Sequence, residues 1–226
     1  MLFDFSGTLF RLEEDDSWFA GMELIDDDGR RAVDAHVQAE LMERLTHPTG
    51  RSGSMTEEVY QLWLDRDLAR ALHREAYLHV LRDSGLSDHH AESLYRRTVD
   101  PASWAPYPDT VEVLRALKAD GLQVAIVSNI AFDIRPAFRA VGAEDDVDEF
   151  VLSFEVGAVK PDPRIFETAL QRLGITAGEA VMVGDSEEND GAARNLGCDF
   201  ILVDPLPIAE RPTGLVDALR DRGLCR

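Results

Sequence analysis

The residues at the start of the chain constrain its fold more than any other stretch. Leu2-Phe3 is a short apolar run that ends at the carboxylate of Asp4, and Gly7 follows three residues later. The apolar run is typical of the end of a buried parallel strand, and Gly7 lets the chain turn sharply where a side chain would obstruct it. Asp4 would then lie at the carboxyl end of a strand, where open α/β sheets bind ligands. A carboxylate there can act as a nucleophile or a metal ligand.

Three later segments place further functional groups at the end of an apolar run or just before a helix. They are Ala125–Asn129, Val159–Pro163 and Val181–Ser186, and the third is followed by Asp190. In chain order the four segments resemble the haloacid dehalogenase (HAD) superfamily, chiefly its phosphatases. The resemblance covers both ends of the chain and leaves the middle as an insert.

From Trp104 onward the pattern alternates between strands and helices, which predicts an α/β fold: a Rossmann-like parallel sheet with helices on both faces. The predicted strands are 122–127, 150–154, 180–183 and 200–203. The predicted helices are 108–121, 132–141, 163–173, 190–196 and one that begins at Leu215. Residues 1–11 and 103–226 would form this core domain.

Residues 12–102 show helical patterns without a strand pattern. We expect helices over 31–45, over 59–85 after a capping box at Ser54–Glu57, and over 87–98. The acidic segments 13–16 and 26–29 are interpreted as solvated loops. The resemblance implies that this insert is a small all-helical cap domain that closes over the active site and selects the substrate. Its basic residues are expected on a solvated face: Arg66, Arg70, His73, Arg74, His89 and His90.

The resemblance also implies the roles of the motif residues. Asp4 would attack phosphorus and form an aspartyl phosphate. Asp4, Asp185 and the main-chain carbonyl of Ser6 would hold Mg²⁺, which prefers hard oxygen ligands. Asp190 would belong to the same metal site, either by orienting metal-bound waters or by holding Lys160.

The remaining motif residues are expected to bind the phosphoryl group. The resemblance implies that Ser128 donates a hydrogen bond to it, and Asn129 is placed in the same binding site. Lys160 would neutralise charge on the phosphate and on the aspartyl intermediate.

Ser6 departs from the family pattern. The phosphatases usually carry an aspartate at this position, two residues after the nucleophile, as general acid and then base. A serine hydroxyl lacks the acidity for this role, and general acid–base help is worth about 10²–10⁴-fold in rate. Three interpretations stay open: a phosphatase for leaving groups that need little protonation, an acid borrowed from the cap, or a slow or non-hydrolytic member.

The overall composition limits the partners. The net charge of −20 argues against nonspecific nucleic-acid binding, because phosphate backbones need a basic surface. No run of eighteen apolar residues and no secretory signal is visible, so we expect no membrane partner. Cys198 and Cys225 suggest neither a disulfide framework nor a zinc site, which favours a reducing cytoplasm.

The most favoured function is a magnesium-dependent phosphatase for a small phosphorylated metabolite. A dehalogenase is the first alternative, because those enzymes also lack the second aspartate. A phosphate-binding protein that kept the fold is the second. The sequence does not indicate the oligomeric state.

Overall fold

A computed structural model describes residues 1–13, 15, 17–26, 29–46 and 55–224. The strands are, in chain order, β1 (Leu2–Phe3), β2 (Phe10–Leu12), β3 (Glu23–Asp26), β4 (Gly29–Ala32), β5 (Trp104–Pro106), β6 (Ala125–Ser128), β7 (Glu149–Leu152), β8 (Val181–Gly184) and β9 (Asp199–Leu202). The α-helices are α1 (Ala35–Thr46), α2 (Glu57–Leu64), α3 (Arg70–Asp83), α4 (Asp88–Thr98), α5 (Thr110–Ala119), α6 (Arg135–Ala140), α7 (Ser153–Val156), α8 (Pro163–Leu173) and α9 (Gly214–Arg220).

Five strands form one parallel sheet in the order β7-β6-β1-β8-β9. Both faces of this sheet are covered. Phe3 and Ile126 point to the face that packs against α5, α6 and α9, and their neighbours Leu2 and Val127 point to the face that packs against α8. Strands buried on both faces read as continuous apolar runs, so the predicted α/β fold is confirmed.

The four core strands predicted after residue 104 are confirmed to within three residues at each end. The helix predicted over 163–173 matches α8, whereas the helix predicted over 132–141 is too long. Asp133 accepts a hydrogen bond from the Arg135 N–H, and Pro136 follows in the first turn of α6. Proline is tolerated only in the first turn of a helix, so α6 begins near it. The segment predicted as a helix over 190–196 is a 3₁₀ helix, Gly191–Leu196.

The insert contains strands that the sequence analysis missed, so the prediction that it is all-helical is wrong. β3 pairs antiparallel with β4, and Asp26 and Gly29 belong to this hairpin rather than to a loop. Because residues 29–32 pair in β4, α1 begins at Ala35 and not at Arg31. Residues 14, 16, 27, 28, 47–54, 225 and 226, which include Ser54 of the expected capping box and Cys225, lie outside the described residues.

The helix predicted over 59–85 is interrupted. α2 ends at Leu64, a 3₁₀ turn spans Arg66–Leu68, and Ala69 is extended before α3 begins. No proline or glycine causes this break. Its cause is tertiary, because the Asp67 carbonyl accepts a hydrogen bond from Ser153 Oγ in the core at 2.6 Å. The helix predicted over 87–98 is confirmed as α4, with Ser87 as its N-cap.

The two connections between the insert and the core pair with each other. β2 leaves the first loop and β5 returns to the core, and they form an antiparallel pair with Arg11 opposite Ala105. Apolar residues between Leu12 and Tyr95 form a hydrophobic cluster of their own. The division into a core of residues 1–11 and 103–226 and a cap of residues 12–102 stays a prediction. Within the described residues, every helix is too short or too polar to cross a membrane.

Asp109 joins α5 to α9. Its Oδ2 accepts hydrogen bonds from the N–H groups of Leu215 and Val216 at 2.8 and 3.0 Å, which are in the first turn of α9. The first turn of a helix leaves N–H groups without partners inside the helix. The side chain of the residue that precedes α5 therefore caps the first turn of α9.

We predict that Asp109→Ala lowers the free energy of unfolding by about 1–3 kcal/mol, because two buried N–H groups lose their acceptor. Asp109→Asn should cost less, since an amide oxygen can still accept. Asp120→Ala, at the exposed end of α5, removes the same charge and should stay within about 0.5 kcal/mol of wild type. Urea unfolding followed by circular dichroism measures all three. Equal losses for the two alanine variants would contradict the role of Asp109.

Candidate active site

Strand pairing brings the first motif and the last one together. Phe3 pairs with Ile126 on one side and with Val183 on the other, and the Asp4 N–H donates to the Val183 carbonyl at 2.9 Å. The ends of β1, β6 and β8 therefore lie side by side. The side chains that follow these strands meet at the carboxyl edge of the sheet.

Lys160 is the centre of this cluster. Its Nζ donates to Asp4 Oδ1 at 2.7 Å, to Asp190 Oδ1 at 2.6 Å and to the Val127 carbonyl at 2.9 Å. An ammonium has three protons, so all three are engaged. Burial opposes the charge on Lys160, but the carboxylates of Asp190 and Asp4 outweigh burial and raise its pKa. Lys160 is therefore a charged group held inside the protein.

The two carboxyls of the last motif are difficult to ionise. Burial raises the pKa of Asp185 to about 7, and the nearby charges of Asp4 and Asp190 add to the effect. Burial also raises the pKa of Asp190 to about 6, with the Lys160 ammonium acting against it and Asp4 adding to it. Like charges in a site with little water favour the protonated form. A bound cation would remove that penalty.

Two glycines let the carboxylates come this close. Gly7 has a φ of 73°, and a Cβ on it would lie 2.4 Å from Asp185 Oδ2. A Cβ on Gly184 would lie 2.2 Å from the carboxylate of Asp190. Both contacts are shorter than atoms allow, so a side chain at either position would push the carboxylates apart.

Arg211 is a site residue that sequence analysis missed. It is 4% exposed, and its guanidinium lies 3.2 Å from the centre of the Tyr107 ring. It donates to the Gly7 carbonyl at 2.7 Å and to the Thr8 carbonyl, so it fixes the loop that follows Asp4. It lies in an irregular loop after β9, where no sequence motif marks it.

A cavity of about 440 Å³ opens above the cluster. Its core side includes Asp4, Ser6, Asn129 and Asp185. Its other side is built from the insert. The insert residues that line it include Leu45, Arg66, Asp67, His73, Tyr77 and Thr98. The volume is in the usual range for small-molecule sites, about 300–1,000 Å³.

The residues expected to bind phosphate differ in their access to this cavity. Ser128 and Lys160 are 1% and 4% exposed and are not among the lining residues. Asn129 lines the cavity, but its side-chain amide is engaged with the main chain of Lys160. Its Nδ2 donates to the Lys160 carbonyl at 2.9 Å, and its Oδ1 accepts from the Lys160 N–H at 2.6 Å. In this structure Asn129 positions Lys160, and Lys160 positions the carboxylates.

Asp190 is similarly engaged. Its Oδ1 accepts from Lys160 and its Oδ2 accepts from the Ser186 N–H at 3.0 Å. It is 1% exposed and does not line the cavity. Asp4 and Asp185 are the carboxylates of the cluster that face the open space, whereas Asp190 holds Lys160 from behind.

Part of the expectation for the insert is wrong. His73 is 3% exposed and Arg66 lines the cavity, so neither lies on a solvated face. Arg70, Arg74 and His89 are exposed, as expected. Asp67, which the sequence analysis did not consider, is buried in the cavity wall. In a continuous helix Asp67 would share a face with the apolar Trp63 four residues earlier, and a charge on that face was the available signal.

The donor set suits a divalent cation. Asp4, Asp185 and Asp190 each offer a carboxylate oxygen, and these atoms lie within 4.8 Å of one another. With the Lys160 ammonium, the cluster holds three carboxylates and one cation, which leaves two negative charges uncompensated when all are ionised. Mg²⁺ prefers hard oxygen ligands of this kind.

The family model described as "Hydrolase: haloacid dehalogenase-like hydrolase" matches residues 1–197. The chain belongs to this family of HAD-like hydrolases. The matched range contains the whole Asp4–Lys160–Asp190 cluster and ends before Arg211. The chain is therefore a hydrolase by family, and the resemblance seen in the sequence is confirmed.

Relatives of this HAD-like hydrolase have different activities. It is 32% identical over 149 residues to haloacid dehalogenase-like hydrolase domain-containing protein 3 of Danio rerio, covering 66% of this chain and 59% of that protein. It is 39% identical over 109 residues to glyceraldehyde 3-phosphate phosphatase of Methanothermobacter thermautotrophicus, covering 47% and 48%. It is 29% identical over 167 residues to (S)-2-haloacid dehalogenase 1 of a Pseudomonas species, covering 67% and 73%.

A solved structure shares the fold. It is a HAD phosphatase from Thermococcus onnurineus, 25% identical, with a TM-score of 0.52 over 90% of this chain and 85% of that one. The match to the first curated relative spans less than two thirds of that protein's length. Phosphatases and dehalogenases both occur among the relatives, so the family alone does not choose between them.

We predict that Lys160→Met destabilises the hydrolase by about 3–5 kcal/mol at pH 8, because it leaves buried carboxylates without their cation. Without the lysine, the folded-state pKa of Asp190 rises further above its unfolded value. Stability should then fall as pH rises from 5 to 8, since the folded state binds more protons than the unfolded state in that window. Lys118→Met, at the chain's other lysine, removes an exposed partner of Asp148 and should cost less than about 1 kcal/mol at either pH. A Lys160→Met penalty equal at pH 5 and pH 8 would contradict the buried ion-pair account.

Proposed function

We propose that this protein is a magnesium-dependent phosphatase that acts on a small phosphorylated metabolite through an aspartyl-phosphate intermediate on Asp4. The observation that carries the proposal is the charge of the cluster at the floor of the cavity. Asp4 and Asp185 face the cavity, and the cluster has two uncompensated negative charges when all three of its carboxyls are ionised. An anionic phosphate would be repelled from such a floor unless a divalent cation were bound there.

The residues around Asp4 have separate tasks in this proposal. Asp4 Oδ1 accepts a hydrogen bond from Lys160, which leaves Oδ2 as the oxygen that attacks phosphorus. Lys160 pairs with Asp4 and offsets charge on the intermediate, while Asp190 holds the ammonium in place. Asn129 orders the loop that carries Lys160, whereas Ser128 is buried outside the cavity lining and is given no contact with the transferred group. Phosphoryl transfer depends mainly on positioning and charge stabilisation of this kind.

Asp4, Asp185 and the Ser6 carbonyl would hold Mg²⁺, with Asp190 holding Lys160 behind them. It would neutralise charge on the phosphoryl oxygens. One of the relatives is named for its action on glyceraldehyde 3-phosphate, and a cavity of about 440 Å³ would hold a substrate of that size. We place the protein in the cytoplasm, as its cysteine usage favours, with no nucleic-acid or membrane partner.

A 2-haloacid dehalogenase is the second candidate. It is favoured by Ser6, which leaves Asp4 without the usual acid, and by the similarity to a dehalogenase over 73% of that enzyme's length. In that reaction Asp4 would attack carbon and release halide. We rank it second because it gives no role to the uncompensated charge of the cluster.

The test is a panel of phosphorylated metabolites and 2-chloropropionate, assayed for phosphate and halide with and without Mg²⁺. We predict phosphate release that requires Mg²⁺ and that Asp4→Asn abolishes. Asp199→Asn, at an exposed position on β9, removes the same charge and should keep wild-type turnover.

Halide release without Mg²⁺ would establish the second candidate instead. Binding of phosphate esters without any turnover would make the protein a non-hydrolytic member of the family. Either result would contradict the proposed phosphatase.

We also predict that Ser6→Asp speeds hydrolysis of an alkyl phosphate more than that of an aryl phosphate. An aspartate at this position faces the cavity and can protonate the leaving oxygen, and an alkoxide needs that proton more than a phenolate does. The ratio of the two rate gains is the quantity to measure. Equal gains on both substrates would show that protonation of the leaving group does not limit the wild-type enzyme.

A further inference from the structure

The wall of the cavity contains a further buried carboxylate, Asp67, which is supplied by the insert. Asp67 belongs to the 3₁₀ turn between α2 and α3, and its side chain is 10% exposed. No hydrogen-bond donor among the described residues reaches its carboxylate. The nearest side-chain nitrogens are Arg66 Nε at 3.5 Å from Oδ2 and His73 Nε2 at 3.8 Å from Oδ1. A buried carboxyl without a hydrogen-bond partner, in the wall of a cavity, needs an explanation.

The position of Asp67 is fixed by the core and not by its own helix. Its carbonyl accepts a hydrogen bond from Ser153 Oγ at 2.6 Å, and Ser153 Oγ in turn accepts a hydrogen bond from the Ile130 N–H at 2.9 Å. Ile130 follows directly on Ser128-Asn129. The turn that carries Asp67 is therefore tied to the loop that carries the expected phosphate-binding residue.

The surroundings of Asp67 favour a carboxyl that gains and loses a proton near neutral pH. Burial raises the pKa of Asp67 to about 6, while the charges of Arg66 and Lys160 act in the opposite direction. Burial, with Arg66, lowers the pKa of His73 to about 3, so His73 is neutral and offers no full positive charge.

The phenols that face this group do not compete with it. Burial raises the pKa values of Tyr77 and Tyr95 to about 12. Tyr95 instead pairs with His73 Nδ1 at 3.1 Å. Near neutral pH, Asp67 is the group in this wall that can exchange a proton, with Arg66 and Lys160 as the fixed charges around it.

We propose that Asp67, supplied by the insert, is the general acid and base of the reaction, in the role for which Ser6 is unsuited. This inference rests on the phosphatase function proposed above. In the first step Asp4 Oδ2 bonds to phosphorus, the ester P–O bond breaks, and the Asp67 proton passes to the leaving oxygen to give an alcohol. In the second step the Asp67 carboxylate takes a proton from water, whose oxygen bonds to phosphorus. The Asp4–P bond then breaks, and both side chains return to their starting states.

The proposal predicts how the rate depends on the leaving group. We would measure kcat/KM for a series of phosphate monoesters, from p-nitrophenyl phosphate to simple alkyl phosphates, in wild type and in Asp67→Asn. Loss of a general acid should lower alkyl-phosphate turnover by about 10²–10⁴-fold and p-nitrophenyl phosphate turnover far less. The dependence on leaving-group acidity therefore becomes steeper. The ratio between substrates does not depend on how much of the variant is folded.

Asp65→Asn is the matched control. Asp65 lies in the same connection between α2 and α3, but its side chain accepts from Gln61 at 2.9 Å and does not line the cavity. It should keep the wild-type dependence on the leaving group. Ser6→Asp added to Asp67→Asn should restore alkyl-phosphate turnover by a larger factor than it raises turnover in the wild-type background, because it supplies the missing acid.

Two results have different meanings. A loss of the same factor on every ester, or no loss, would overturn the role of Asp67 and leave the phosphatase intact. No turnover of any ester by the wild-type protein would overturn the phosphatase itself, and the proton transfer with it.

Discussion

The buried ion pairs of Lys160 organise this structure. One ammonium holds Asp4, from the first strand, to Asp190, from the last motif, and its third proton goes to the main chain at Val127. Charges removed from water persist only when they are paired and fully hydrogen-bonded, and this cluster meets that condition for Lys160 but not for all of its carboxylates. The remaining negative charge faces the cavity. The same interaction that closes the core thus leaves a negative charge that a bound cation would offset.

The rest of the chain keeps this cluster in register. The β1–β8 pairing sets Asp4 beside the last motif, and Gly7 and Gly184 allow contacts that no side chain would permit. Arg211 ties down the loop after Asp4 from a part of the chain beyond the matched family range. On the other side, the hydrogen bond from Ser153 to Asp67 fixes the insert against the core. Residues of both the core and the insert therefore form the walls of the cavity.

The fold of the core could be predicted from the sequence because the patterns that mark its strands are local. Apolar runs that end in Asp4, Ser128 and Asp185 indicate strand ends, and in a parallel sheet strand ends meet at one edge. The insert was harder to predict. Its hairpin has polar residues that look like a solvated loop, and its long helix is broken by a contact with Ser153, more than eighty residues away in the chain.

In the candidate site, too, contacts between residues distant in sequence could not be predicted. Asn129 and Lys160 were expected to bind the substrate. In the structure Asn129 bonds to the main chain of Lys160, and the Lys160 ammonium bonds to the carboxylates. Arg211 and Asp67 were missed because their importance comes from partners distant in sequence. A side chain that acts through such contacts leaves little trace in the residues around it.

The most direct test of the account is the chemical identity of the group that forms on Asp4 during turnover. The protein would be mixed with a phosphate ester and Mg²⁺, quenched in acid and digested, and the peptides would be analysed by mass spectrometry. The account predicts one phosphoryl group on the peptide that contains Asp4, removable by hydroxylamine and absent in Asp4→Asn. A phosphoryl group on any other residue during active turnover, or turnover without a covalent intermediate, would contradict it.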